Sequence, residues 1–276
     1  MKTESYKDVR GKQDTTARNG LKNALLYFHD KLFPSCLGKN FIRPIYGHTI
    51  FDDKVDNFER LIHECKKIGD FVTTDQLIEA ILKKKPISGR FFHLSFDDGL
   101  RNVFANGKHI FRKYDLKPII FINPDSIGLQ DESAFEFTKS RLNISRPIQI
   151  MNWDDVNAAI DYGIDIGSHT MSHARLSEVA PNSAELTEEI LGSKLKIEEK
   201  TGRVCEHFAW PYGRSSDITS EAVHQVKKSG YKSCFSAIRG SVRGIETNRY
   251  RIPRHQIEDY FSPSSARVFL RGNFEK

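Results

Sequence analysis

Two adjacent carboxylates, Asp97 and Asp98, follow the apolar run Phe91–Phe96, and Gly99 behind them permits a sharp turn. Neighbouring aspartates point in different directions, so one can bind a cation while the other handles protons. An Asp-Asp-Gly turn alone needs no function. Further on, His169-Thr170-Met171-Ser172-His173 follows a second apolar run, Gly163–Gly167. Imidazoles at i and i+4 share a face of a helical turn and can share a metal. Ten histidines in 276 residues would give about 0.4 such pairs by chance, so the spacing alone is weak. Position strengthens it, because both motifs sit where an apolar run ends. One aspartate and two histidines would fill three metal positions and leave room for water and substrate, the ligand count of a catalytic site. A third strand-then-turn segment is Phe208-Ala209-Trp210-Pro211-Tyr212-Gly213.

The elements that must position these groups alternate. Strand-like runs are read at Ala24–Phe28, Phe91–Phe96, Pro118–Ile122, Ile164–Gly167, His207–Trp210, Tyr231–Phe235 and Tyr250–Pro253. Between them lie stripes of helical period. Val55, Phe58, Leu61, Ile62, Cys65 and Ile68 form one, after a possible Asp52 cap. Leu77, Ile78, Ile81 and Leu82 form another, opened by a Thr73–Gln76 capping box. Val103, Phe104, Ile110, Phe111 and Tyr114 form a third. A long helix opens at Asn182–Glu185, passes through Leu186, Ile190 and Ile197, and stops at Gly202; a last one runs to Gly230. About seven β/α units predict an α/β fold, a distorted barrel of about seven parallel strands with outer helices, whose active site lies at the strands' carboxyl ends. Residues 1–23 are a polar N-terminal segment, and 24–276 are expected to form one domain. The polar stretch 123–149 is expected to be a lid or insertion.

The order FDDG, HTMSH, WPYG on successive strand ends resembles the polysaccharide deacetylases, that is, carbohydrate esterase family 4 or the NodB-homology group. The likeness spans roughly residues 24–256. It implies a divalent metal held by Asp98, His169 and His173, zinc first, with cobalt, nickel or iron as alternatives. It implies Asp97 as catalytic base and the backbone N–H of Tyr212 as oxyanion donor, with Trp210 beside the substrate. Two departures stand out. Family members often carry a base-orienting arginine before the Pro-Tyr of the third motif; Ala209 stands there, and Arg251 or Arg254 is expected to substitute. The general acid lacks its usual C-terminal setting. Leu25-Leu26-Tyr27-Phe28-His29-Asp30 resembles a circularly permuted subgroup that places this strand first, which makes His29 the expected acid and His255 its rival. His48, His63, His93, His109, His207 and His224 sit in no motif and are expected in structural or surface roles.

The expected activity is removal of an N-acetyl group from an amino sugar, in a polysaccharide or in its lipid- or nucleotide-linked precursor. Hydrolysis of another small amide, such as a formylated sugar or a ureide, and a silent sugar-binding barrel are the alternatives. A net charge of +6 suits an anionic carrier, but the charges are interleaved and no nucleic-acid-reading motif is present. Cys36, Cys65, Cys205 and Cys234 form no C-x-x-C pair and are expected as buried free thiols. Without an apolar leader or a membrane-length run, the expected location is cytoplasmic, with export as the alternative for a trimmed chain. Oligomeric state is not legible.

Overall fold

The computed structural model describes residues 4–10, 40–84, 86–244, 247–272 and 275. The expected first strand Ala24–Phe28, together with His29 and Cys36, lies outside the described residues.

Eight strands form a curled, parallel sheet: β1 (Phe41–Gly47), β2 (Asp70–Phe71), β3 (Arg90–Phe96), β4 (Ile119–Ile122), β5 (Asp165–Ser168), β6 (His207–Ala209), β7 (Ser233–Phe235) and β8 (His255–Gln256). Seven follow the order β7-β6-β5-β4-β3-β1-β8, and β2 pairs beside β3. A lone parallel bridge from Phe235 to Ile252 ties β7 to the segment leading into β8. The half-barrel thus nearly meets itself.

Burial on both faces explains why these strands read as continuous apolar runs. In β4, Ile120 and Ile122 join the large core under the helices, whereas Ile119 and Phe121 join a smaller cluster on the other face. Leu77, Ile78 and Ile81 pack into that smaller cluster. The helices are α1 (Tyr6–Arg10), α2 (Val55–Lys66), α3 (Thr74–Leu82), α4 (Arg101–Lys113), α5 (Asp131–Arg141) and α6 (Trp153–Asp161). Then α7 (Ala184–Thr187) passes through a π-helical turn, Glu188–Gly192, into α8 (Ser193–Thr201); α9 (Ser220–Lys228) and α10 (Pro263–Leu270) follow.

The Thr73–Gln76 capping box forms, and Gly202 ends α8 in a left-handed conformation at φ 65°. Two expected caps differ. Asp52 begins a 3-10 turn that leads into α2, and Ser183, rather than Asn182, caps α7 through the Leu186 N–H. Cys65, Cys205 and Cys234 are buried free thiols. Stretch 123–149 contains α5, and Tyr6 and Val9 from the polar N-terminal segment reach the large core. Among the described residues no helix is long and apolar enough to cross a membrane.

Candidate active site

Strand β3 ends at Phe96, and the chain then turns through Asp98 at φ 74° and Gly99 at φ 64°. Parallel pairing with β1 carries one residue further, since the Asp97 N–H donates to the Gly47 carbonyl. Strand β5 delivers His169, whose N–H donates to the Ile122 carbonyl of β4. Asp98 Oδ1 lies 3.6 Å from His169 Nε2 and 3.5 Å from His173 Nε2. Three ligand atoms, one per residue, all fall within 4.8 Å of one another.

Those separations fit a shared divalent ion. Ligands at about 2.0–2.2 Å around a tetrahedral zinc sit about 3.3–3.6 Å apart. His169 Nδ1 lies 2.8 Å from the Ala209 carbonyl, which can only accept. The proton is therefore on Nδ1, and the Nε2 lone pair faces the cluster. His173 Nδ1 is buried without a partner, and burial outweighs Asp98 to hold this imidazole down at about 4, in the neutral form that ligates. Asp98, His169 and His173 are 6%, 2% and 7% exposed. A second cluster, Asp75, Glu206 and His207, is the weaker cation site, because Glu206 already has Lys232 at 2.5 Å.

Asp97 has a different partner. Arg254 grips both its oxygens, Nη1 to Oδ1 at 2.7 Å and Nη2 to Oδ2 at 2.8 Å. The guanidinium itself is held by the Ser236 carbonyl and Ser95 Oγ, and it lies over the Tyr46 ring at 4.2 Å. Burial pushes the Asp97 carboxyl up, but the Arg254 guanidinium pulls harder and leaves it at about 2. Of the two arginines expected to contact Asp97, Arg254 does so. Arg251 does not: its Nη2 donates to the Ile218 carbonyl, and it stands away from the cavity lining.

His48 follows β1 and faces the same cavity. Its Nδ1 is 2.5 Å from Glu258 Oε1, its N–H donates to Oε2, and Gln256 Nε2 holds the same carboxylate. Burial would lower the imidazole, but Glu258 overrides it and raises it to about 9. About a quarter of the ring surface is exposed. His255, the expected rival acid, is buried elsewhere with Glu275 at 3.2 Å and is absent from the lining. His48 was legible in one respect: like Asp97 and His169, it follows an apolar run. Pro44 within that run reads against a strand and hides it.

The cavity has a volume of about 300 Å³, and its lining includes Asp97, Asp98, His169, His173, His48 and Tyr212. Residues 140–144, at the end of α5 and beyond, line it as well. Tyr212 sits at φ 59°, 39% exposed, its ring 5.1 Å from that of His173 and covered by the Arg175 guanidinium at 3.6 Å. Trp210 also lines the cavity, but it is buried, and its Nε1 donates to the Tyr250 carbonyl.

The family profile described as Polysaccharide deacetylase matches residues 70–233, more than half of the chain. YxkH of Bacillus subtilis (strain 168), a protein named for the same family, is 26% identical over 187 residues. That match covers 68% of this chain, which spans 58% of the relative's length. Among solved structures, IcaB from Ammonifex degensii superimposes with a TM-score of 0.67 at 15% identity, covering 86% of this chain and 99% of its own. The Streptococcus pyogenes deacetylase PplD, solved with acetate, gives 0.63 at 17% identity over 83% of this chain and 96% of its own. The de-N-acetylase from Aggregatibacter actinomycetemcomitans gives 0.62 at 17% identity, covering 83% and 99%. These likenesses establish the fold, and the profile match establishes the lineage: the chain belongs to the polysaccharide deacetylase family.

Proposed function

We propose that the protein is a metal-dependent hydrolase that removes an N-acetyl group from an amino sugar, in a polysaccharide or in a lipid- or nucleotide-linked precursor. One observation carries the reading. A three-donor cluster, an arginine-clamped carboxylate and a glutamate-clamped imidazole line the same cavity. Its volume lies at the lower end of the range for small-ligand pockets, which suits a single sugar ring.

Asp98, His169 and His173 are the residues that would hold the ion. When bound, a divalent metal, zinc first and cobalt, nickel or iron as alternatives, polarises the acetyl carbonyl and acidifies water. Asp97 takes the proton from the attacking water, and Arg254 keeps it ionised and aimed. Attack converts the amide carbon to a tetrahedral centre, whose negative oxygen receives the Tyr212 backbone N–H. His48, charged because Glu258 faces it, gives its proton to the amine nitrogen as the carbon–nitrogen bond breaks. Acetate and a free amine result. His48 takes the acid's role that the sequence pattern gives to His29. A silent sugar-binding barrel loses its main support, because Arg254 supplies the orienting group that the third motif lacks.

The test is acetate release from N-acetylglucosamine oligomers and from nucleotide-linked N-acetyl sugars by metal-loaded protein. Acetate from either supports the reading and separates polymer from precursor. Metal-loaded protein that turns over a formylated sugar or a ureide, but releases no acetate, overturns it.

A further inference from the structure

The turn that would carry both imidazole ligands is strained. Thr170 lies at φ 66° and His173 at φ 59°, a region that side-chain-bearing residues enter at a cost of about 1–3 kcal/mol each. A β-branched threonine is among the least suited to it. Such a turn persists only if its surroundings hold it. Part of the hold comes from Asn123, whose Nδ2 donates to the His169 and Thr170 carbonyls. The Asp125 N–H donates to the Met171 carbonyl and the Ala174 N–H to Thr170 Oγ1, and the middle of the turn is gripped by one residue of a distant helix.

That residue is Glu189. Its carboxylate takes the Ser172 N–H at 3.0 Å and the Ser172 hydroxyl at 2.6 Å, and its backbone carbonyl takes the Met171 N–H at 3.0 Å. The helix is modified to allow this. In a regular α-helix the Ser193 N–H would bond the Glu189 carbonyl, four residues back. Here it bonds the Glu188 carbonyl, five back, in the π turn Glu188–Gly192. The shift releases the Glu189 carbonyl to Met171 while Leu186, Ile190 and Ile197 stay in the core. Turns of this type recur at functional sites. Glu189 is only 8% exposed and has no ion-pair partner among the described residues. A buried carboxylate without a cationic partner is costly, and the two hydrogen bonds from Ser172 are what offset that cost.

We propose that Glu189 is a positioning residue, which, through Ser172 and Met171, fixes the His169–His173 turn in its metal-binding shape. The proposal rests on the metal-centre reading above. Its test is therefore built so that the two can fail separately.

Zinc affinity is measured by competition with a chromophoric chelator, on wild-type, D98A, E189A, E189Q, S172A and S172A/E189A proteins, together with the melting temperature of each metal-free form. E189A is expected to bind zinc about 10–100-fold more weakly, the range for outer-shell partners of ligating histidines. E189Q, which keeps an acceptor and a donor for Ser172, should stay within about threefold of wild type. S172A should weaken binding about 3–10-fold. Because they break the same contact, the double variant should be no weaker than E189A by more than about threefold. Should E189A not fold, S172A decides. Zinc affinity within about threefold of wild type in E189A, or unchanged in S172A if E189A is lost, while D98A abolishes binding, overturns the proposal. If instead wild type and D98A bind zinc alike, the metal-centre reading fails and Glu189 is not at fault.

Discussion

Replacing Arg254 with methionine removes the charge and the fork while keeping much of the length. Two charge-assisted hydrogen bonds to Asp97 disappear, at 2.7 and 2.8 Å. At about 1.5–3 kcal/mol each, they account for about 3–6 kcal/mol. Breaking a buried ion pair from one side costs about 3–5 kcal/mol by a separate route, and the two figures agree. The direction of the Asp97 pKa agrees: the carboxyl is held at about 2 beside Arg254, and without the guanidinium its unopposed burial would raise it, at a cost in stability at neutral pH. The signs concur: a carboxyl with a depressed pKa stabilises the fold above its unfolded value, and that contribution is lost as pH falls through its folded one. Urea denaturation of metal-free R254M at pH 7 should therefore show a loss of about 3–5 kcal/mol. R254K, which keeps the charge without the bidentate fork, should fall between. The decisive comparison is D97A/R254M, which leaves no unpaired charge and should lose at least about 2 kcal/mol less than the two single variants summed. Additive losses, with R254M costing under about 1 kcal/mol, would refute the argument that this pair is a tightly coupled unit.

Three further outcomes follow from the same geometry. His48→Gln should lower kcat by about 10²–10⁴-fold without loss of bound metal. In the wild type, activity should fall as pH rises through a value at or below about 9, because the acid must be protonated and a nearby dication lowers its pKa. A wild-type alkaline limb that survives unchanged in a residually active H48Q would remove His48 from the reaction. Chelation should abolish acetate release, and elemental analysis should find metal lost from D98A and H173A but kept in D97N; equal metal in all three would break the division between ligand and base. Gly213 occupies φ 60°, and a Cβ there would come within 2.6 Å of the Ala237 backbone nitrogen. Gly213→Ala should therefore cost about 1–3 kcal/mol in denaturation and disturb the Tyr212 peptide, measured as a fall in kcat larger than any rise in KM.

What could be read from the sequence divides along physical lines. The convergence of Asp98, His169 and His173 was legible because the Asp pair and the His pair each begin where an apolar run ends, and parallel strands point their carboxyl ends at one mouth. The capping box at Thr73 and the stop at Gly202 were legible because they depend on neighbours within a turn. Strand β1 was not, since Pro44 breaks the local rule and the strand is made by pairing with β3 and β8 across the sheet. With β1 hidden, His48 had no strand end to stand on. Helix α5 went unread because its apolar residues make no stripe, and only Ala134 and Thr138 of it are buried. The π turn was beyond reach, because the bond made by its freed carbonyl goes to a residue remote in sequence, Met171.

The strand order explains why the two clamps occur together. Sheet neighbours run β3, β1, β8, so Asp97 and His48 leave adjacent strands, and β8 lies against β1 on its far side. Arg254, just before β8, reaches past Tyr46 of β1 to Asp97. Gln256 and Glu258, two and four residues on, converge on His48. In extended chain, residues two apart share a face, so one short edge segment presents all three groups toward the cavity. Asp97 and His48, the base and acid of the proposed reaction, are then both oriented from outside residues 70–233, where the family profile matches. That segment carries Asp97 and the three-donor cluster, while the last strand supplies the groups that hold Asp97 and His48. A one-residue slip of β8 against β1 would turn Arg254 and Glu258 away together. The orientation of Asp97 and His48 therefore depends on a single register, while the three-donor cluster behind β3 and β5 does not.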